Sequence, residues 1–135
     1  VSVPMSVTAA PPLPWWQRPP ILLAVTLAQL LAHRPPERIR ATLSSLRRGA
    51  RPATYAQAQQ ARNQVLAASI HCAGEGCLQR SVATALLCRL RGHWPTWCVG
   101  VRTQPFGAHA WVEAEGRAVD EPHPDDYYRP IITVR

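Results

Sequence analysis

Residues 76–81 read Gly76-Cys77-Leu78-Gln79-Arg80-Ser81, and the reading of this stretch decides how the rest of the chain is arranged. No Gly or Pro interrupts the run from Leu78 to Leu90, and Gly92 stands where a glycine ends a helix. On a helical projection Leu78, Val82, Ala83, Ala85, Leu86, Leu87 and Leu90 cover more than half of the circumference. That breadth predicts a central helix with little surface facing water. Cys77 opens the helix on its narrower polar side, beside Arg80, Ser81 and Thr84. There the unpaired N–H groups and the positive end of the helix dipole favour a thiolate, the reactive form of cysteine. A thiolate nucleophile needs a partner base, and His109 supplies an imidazole.

Downstream of Gly92 the apolar spacing changes to alternation. Trp97–Arg102 and Ala108–Ala114 read as strands, Glu115-Gly116 as a tight turn, Arg117–Asp120 as the return strand and Ile131–Val134 as an edge strand. A two-residue turn sets Ala114 against Arg117, Val112 against Val119 and Trp111 against Asp120. His109 and Asp120 then become diagonal neighbours on one face, with Cβ atoms about 7–8 Å apart. This register predicts a Cys77-His109-Asp120 triad, in which the carboxylate orients the imidazole and stabilises imidazolium. Glu121 falls on the opposite face. Trp111 is expected to pack beside the imidazole, and Arg80 to favour the thiolate or to bind substrate.

Upstream, Val1–Pro14 is rich in Pro and Ala and reads as an irregular arm, leaving residues 15–135 as one domain. Its helical part spans 15–92 and its sheet part 93–135. Ile21–His33 is a first helix, stopped by Pro35-Pro36. Glu37–Arg48 is a second, with Gly49 as its cap, and Tyr55 to about His71 a third, with Thr54 as its N-cap. Gly74-Glu75-Gly76 separates it from the Cys77 helix. Helices first and an antiparallel sheet afterwards give an α+β fold.

The basic residues are fifteen Arg and no Lys, so Schiff-base chemistry on a lysine is excluded. Up to Val112, twelve Arg face Glu37 and Glu75, a balance of +10; from Glu113 onward six acids face three Arg, a balance of −3. Such a surface suits an acidic peptide or partner, with Arg38, Arg47 and Arg48 as docking candidates. A nucleic-acid module is the alternative that the charge allows, although no aromatic-basic RNA motif is present. Cysteines at 72, 77, 88 and 98 form no CxxC pair, which argues against structural zinc. Cys77 and Cys88 lie roughly 16 Å apart along one helix, too far for a disulfide. Ile21–Ala32 is too short to span a bilayer. A cytoplasmic setting is expected, with membrane-surface contact through residues 15–32 as a lesser possibility.

The run from Gly76 to Asp120 resembles a transglutaminase-like, papain-fold core. Its elements are Gly-Cys opening a helix, the helix end Arg-Leu-Arg-Gly, the strand Cys-Val-Gly-Val-Arg, then His-Ala-Trp-Val-Glu and a following Asp. Cys77-Leu-Gln-Arg-Ser81 with Gly100-Val-Arg and Pro105-Phe-Gly-Ala-His-Ala-Trp-Val-Glu113 resembles more narrowly the leader peptidases of lasso-peptide biosynthesis. These form the cysteine-protease half of the B protein. The resemblance implies cleavage of a precursor peptide between leader and core through a thioester, without cofactor or metal. Cys77 would attack, His109 would carry protons and Asp120 would orient His109. No winged-helix recognition segment precedes the core, which implies a split system with a separate leader-recognition protein and an asparagine-synthetase-like lasso cyclase as partners. A transglutaminase-like acyltransferase, with an amine in place of water, would use the same triad.

Overall fold

The computed structural model describes residues 16–68, 76–122 and 126–135. The expected arm at 1–14, the end of the third helix beyond Ala68, Gly74-Glu75, His71-Cys72 and His123 lie outside the described residues. The elements in chain order are α1 (Arg18–Ala32), α2 (Pro36–Leu46), β1 (Arg51–Pro52), α3 (Tyr55–Ala68), α4 (Cys77–Leu90), β2 (His93–Trp94), β3 (Thr96–Thr103), β4 (Phe106–Ala114), β5 (Arg117–Ala118) and β6 (Arg129–Val134).

Helix α4 is the hub. Residues Arg80–Cys88 are buried without interruption, because α1 and α3 pack on it from one side and the sheet from another. The narrow polar stripe expected to face water is therefore enclosed, and its hydroxyls are satisfied locally. Ser81 Oγ donates to Leu78 O at 2.9 Å and accepts Trp97 Nε1–H at 3.0 Å, while Thr84 Oγ1 donates to Arg80 O at 2.8 Å. Buried hydroxyls paired in this way avoid the desolvation cost of an unmade hydrogen bond. Helix α1 begins three residues before the expected Ile21, since Pro19 and Pro20 occupy the first turn, where a missing N–H costs nothing. Its residues Ile21, Ala24, Val25 and Ala28 face the core at helical spacing, whereas Leu22, Leu23, Leu27 and Leu30 stay exposed.

The main sheet is antiparallel with order β5-β4-β3-β6. Trp97, Val112, Val134 and the partly buried Val99 and Ile132 pack into the core around α4. Cys98, Gly100 and Arg102 on β3 and His109 and Trp111 on β4 belong to the opposite parity, hence to the other face. Strand β6 forms the far edge, and its register slips beside Pro130, which has no N–H to give the ladder. Strands β1 and β2 form a separate parallel pair that tethers the segment after α2 to the end of α4. The sequence reading contained no such pair; two residues are too few to show alternation.

Candidate active site

Helix α3 prepares one side of the site. Thr54 and Gln57 make a capping box: Gln57 N–H donates to Thr54 Oγ1 at 3.1 Å and Thr54 N–H to Gln57 Oε1 at 2.9 Å. Tyr55, Gln59 and Arg62 follow at helical spacing and converge on the segment after β5. Gln59 Nε2 donates to both carboxylate oxygens of Asp120 at 3.0 Å, and Tyr55 Oη donates to Asp120 Oδ1 at 3.3 Å while accepting the Asp120 N–H at 3.2 Å. Arg62 is 3 % exposed and its charge bears on both Glu121 and Asp120.

Strand β4 brings the imidazole. The hairpin register is the expected one: Ala114 pairs with Arg117, and Val119 N–H donates to Val112 O at 3.0 Å. Glu115 and Gly116 both take positive φ, the backbone of a primed two-residue turn. The prediction fails one residue later. Asp120 has φ +51°, so the chain leaves the strand geometry there and its side-chain alternation is reset. Glu121, not Asp120, reaches His109, with Oε2 3.0 Å from Nε2. Asp120 is held instead by α3. The carboxylate expected on the imidazole is thus reassigned from Asp120 to Glu121, and the cause is one left-handed residue rather than a wrong turn length.

Cys77 meets His109 at the open edge of β4. Because Val112 O faces β5, the Ala110 N–H two residues away points the same way, yet β5 has already ended at Ala118. The start of α4 fills that gap, and Cys77 Sγ accepts the Ala110 N–H as well as a hydrogen bond from the His109 ring. Since Nε2 is engaged by Glu121, Nδ1 is the ring nitrogen left for the sulfur. Burial works against the thiolate, but these two hydrogen bonds and the charges of His109 and Arg80 outweigh it, and the thiol is held below its ordinary value. Burial likewise opposes imidazolium, yet Cys77 and Glu121 push His109 up to about 9. Burial also opposes the Glu121 charge, and His109, then Arg62 and Arg80, hold its carboxyl below the usual range. The cluster is arranged as a thiolate–imidazolium pair backed by a carboxylate.

Trp111 stacks on His109 with ring centroids 5.8 Å apart and planes 14° from parallel, and Tyr128 covers the imidazole at 5.1 Å. Gly100 makes room for this layer: a Cβ there would lie 2.6 Å from Trp111 Cη2 and 2.9 Å from Arg129 O. Trp111 Nε1 donates to Glu113 Oε2 at 2.8 Å. Arg80, 8 % exposed one turn past Cys77, lies within the cluster rather than at the surface. Arg38, Arg47 and Arg48 are exposed around α2, and none is among the charges acting on Cys77 or His109. Cys88 is buried in the core and Cys98 on the other face of the sheet, and burial above all pushes each up to about 12. Gln64 is buried in α3 with Nε2 3.5 Å from Gln17 Oε1.

The Tyr55-Gln59-Arg62 stripe was absent from the sequence reading. Its signal was a polar series at i, i+4, i+7 on a helix whose apolar stripe already accounted for the core. Among the described residues no group of three or more His, Cys, Asp or Glu is placed to hold a metal ion, and no helix is long and apolar enough to cross a membrane.

Residues 21–133 match the model of the transglutaminase-like superfamily. The chain belongs to the transglutaminase-like superfamily. No curated protein and no solved structure matches it. The transglutaminase-like superfamily includes cysteine proteases and acyltransferases, and a nucleophilic cysteine of this kind serves either activity.

Proposed function

We propose that this transglutaminase-like protein is a cysteine peptidase that removes the leader from a ribosomally made precursor peptide during lasso-peptide maturation. The observation that carries the reading is the Cys77 sulfur at the start of α4, hydrogen-bonded by the His109 ring and the Ala110 N–H, with Glu121 on the far side of the imidazole. The lasso assignment is supported by the residues around Cys77, Gly100 and His109 that resemble the leader peptidases.

In this reading the thiolate attacks the carbonyl carbon of the scissile peptide bond. The oxyanion that forms takes a hydrogen bond from the Cys77 backbone N–H, a first-turn donor with no partner inside the helix. The His109 imidazolium gives its proton to the departing amine, and the C–N bond breaks to leave a thioester. Water then loses a proton to His109 and adds to the thioester. Collapse expels the thiolate and frees the leader carboxylate, restoring the ion pair. Glu121 remains a carboxylate throughout. The partners of this reading are the precursor peptide, a separate leader-recognition protein and an asparagine-synthetase-like lasso cyclase.

The test is mass spectrometry of a precursor peptide from the neighbouring genes, incubated with this protein and the recognition protein. Two free peptides whose masses sum to the precursor plus one water are expected, and none with Cys77→Ala. A conjugate to an added amine would assign acyl transfer instead. No covalent change at all would end the peptidase reading.

A further inference from the structure

The charge of the chain has a focus that the catalytic cluster does not use. Arg40 and Ser44 on α2, with Arg47 and Arg48 just past its end, share one helical face by their spacing. Thr133 lies on β6, and Arg135 follows directly after its last residue Val134. Together these six residues line a depression of about 420 Å³ between α2 and the far edge of the sheet. Its lining contains four guanidinium groups and two hydroxyls, with no acidic side chain and no aromatic ring. Among the described residues none of the four arginines is in an ion pair. Behind the wall Arg89 donates to the carbonyls of Leu46 and Arg48, so the negative end of α2 is already taken up by a fifth guanidinium. Four cations of like sign held this close repel one another, and an anionic ligand relieves that cost.

Guanidinium groups recognise carboxylates through paired N–H donors, and hydroxyls add donors at the margin. The absence of any ring for base stacking disfavours single-stranded nucleic acid. The position of the depression argues for a ligand other than the scissile segment. His109 is on β4, and β6 is two strands away, about 10 Å along the hydrogen-bonding direction. We propose that this depression docks an acidic segment of a partner protein, one that presents Asp and Glu side chains to Arg40, Arg47, Arg48 and Arg135. The proposal rests on the peptidase reading only in naming that partner as the protein that delivers the substrate.

Binding is read apart from cleavage, on Cys77→Ala protein, so that docking can fail while the peptidase reading stands, and the reverse. The probe is a fluorescein-labelled peptide rich in Asp-Glu pairs, titrated by anisotropy at physiological salt. The double variant Arg47→Gln/Arg48→Gln is expected to weaken binding at least roughly tenfold, the loss of about 1.4 kcal/mol. The control Arg18→Gln/Arg34→Gln removes the same charge elsewhere and is expected to change it less than about twofold. Equal loss in both variants would reduce the effect to net charge and overturn the site. Tighter binding of a single-stranded oligonucleotide than of the peptide, lost in the same variant, would assign the surface to nucleic acid. Slower cleavage of the precursor by Arg47→Gln/Arg48→Gln protein with Cys77 intact, in the absence of any partner, would place the acidic segment in the substrate and overturn the partner assignment.

Discussion

Replacing Glu121 with Gln removes one charge from the imidazole while keeping the length of the side chain. The Glu121 side chain is 3 % exposed and its Oε2 is 3.0 Å from His109 Nε2, so the contact is a nearly dry, charge-assisted hydrogen bond. Such bonds contribute about 1.5–3 kcal/mol, and at 1.36 kcal/mol per decade this corresponds to a loss of roughly 10- to 160-fold in kcat/KM. The pH profile gives a second reading of the same bond. His109 is raised from 6.5 to about 9, so its contribution to stability is complete below 6.5 and is lost as the pH rises through about 9. The imidazolium that must protonate the leaving amine disappears over the same range, and the alkaline limb of kcat/KM is therefore expected near 9. With Gln at 121 one of the two groups raising His109 is gone, and the limb should move toward lower pH by on the order of one unit. The variant also leaves Arg62 and Arg80 without the carboxylate, so its melting temperature is measured alongside. Asp120→Asn, which keeps an amide able to meet Tyr55 and Gln59, should change kcat/KM by less than about threefold. An unshifted alkaline limb in Glu121→Gln, or a larger loss in Asp120→Asn than in Glu121→Gln, would refute the reassignment of the carboxylate.

Limiting iodoacetamide at neutral pH should label Cys77 before Cys88 or Cys98 in peptide mapping, because a thiol at about 12 is thiolate only to about one part in 10⁵; labelling of Cys88 first would contradict the reading of Cys77 as the activated sulfur. Gly100→Ala should lower stability by about 1–3 kcal/mol through overpacking against Trp111 and the Arg129 carbonyl. Urea titration with an unchanged m value checks this, and a wild-type midpoint would show that the Trp111 layer yields at no cost.

The parts of the fold that were legible are those where one local signal dominates. The Cys77 helix was readable because Gly and Pro bracket an uninterrupted apolar run, and the β4–β5 hairpin because Glu-Gly between alternating residues admits few turns. The Thr54 cap was readable from residue type alone. The carboxylate partner of His109 was not. It depends on the backbone of Asp120, held at positive φ by Tyr55 and Gln59, residues more than sixty positions upstream. Asp tolerates that conformation but does not announce it. The enclosure of Arg80, Ser81 and Thr84 was equally hidden, since their residue types suggest a solvated stripe and only the packing of α1 and α3 covers them.

The early end of β5 also leaves a sheet edge that the fold must cover. A strand edge with an unanswered N–H is a template on which another chain can pair, and folded proteins cover or blunt such edges. At Ala110 the cover is the nucleophile itself, delivered by the first residue of α4. Chemistry and protection against self-association therefore share one contact. An adduct on the Cys77 sulfur that withdraws it from β4 would end the proposed catalysis and bare a sheet edge in the same event, linking loss of that activity to exposure of an aggregation-prone edge.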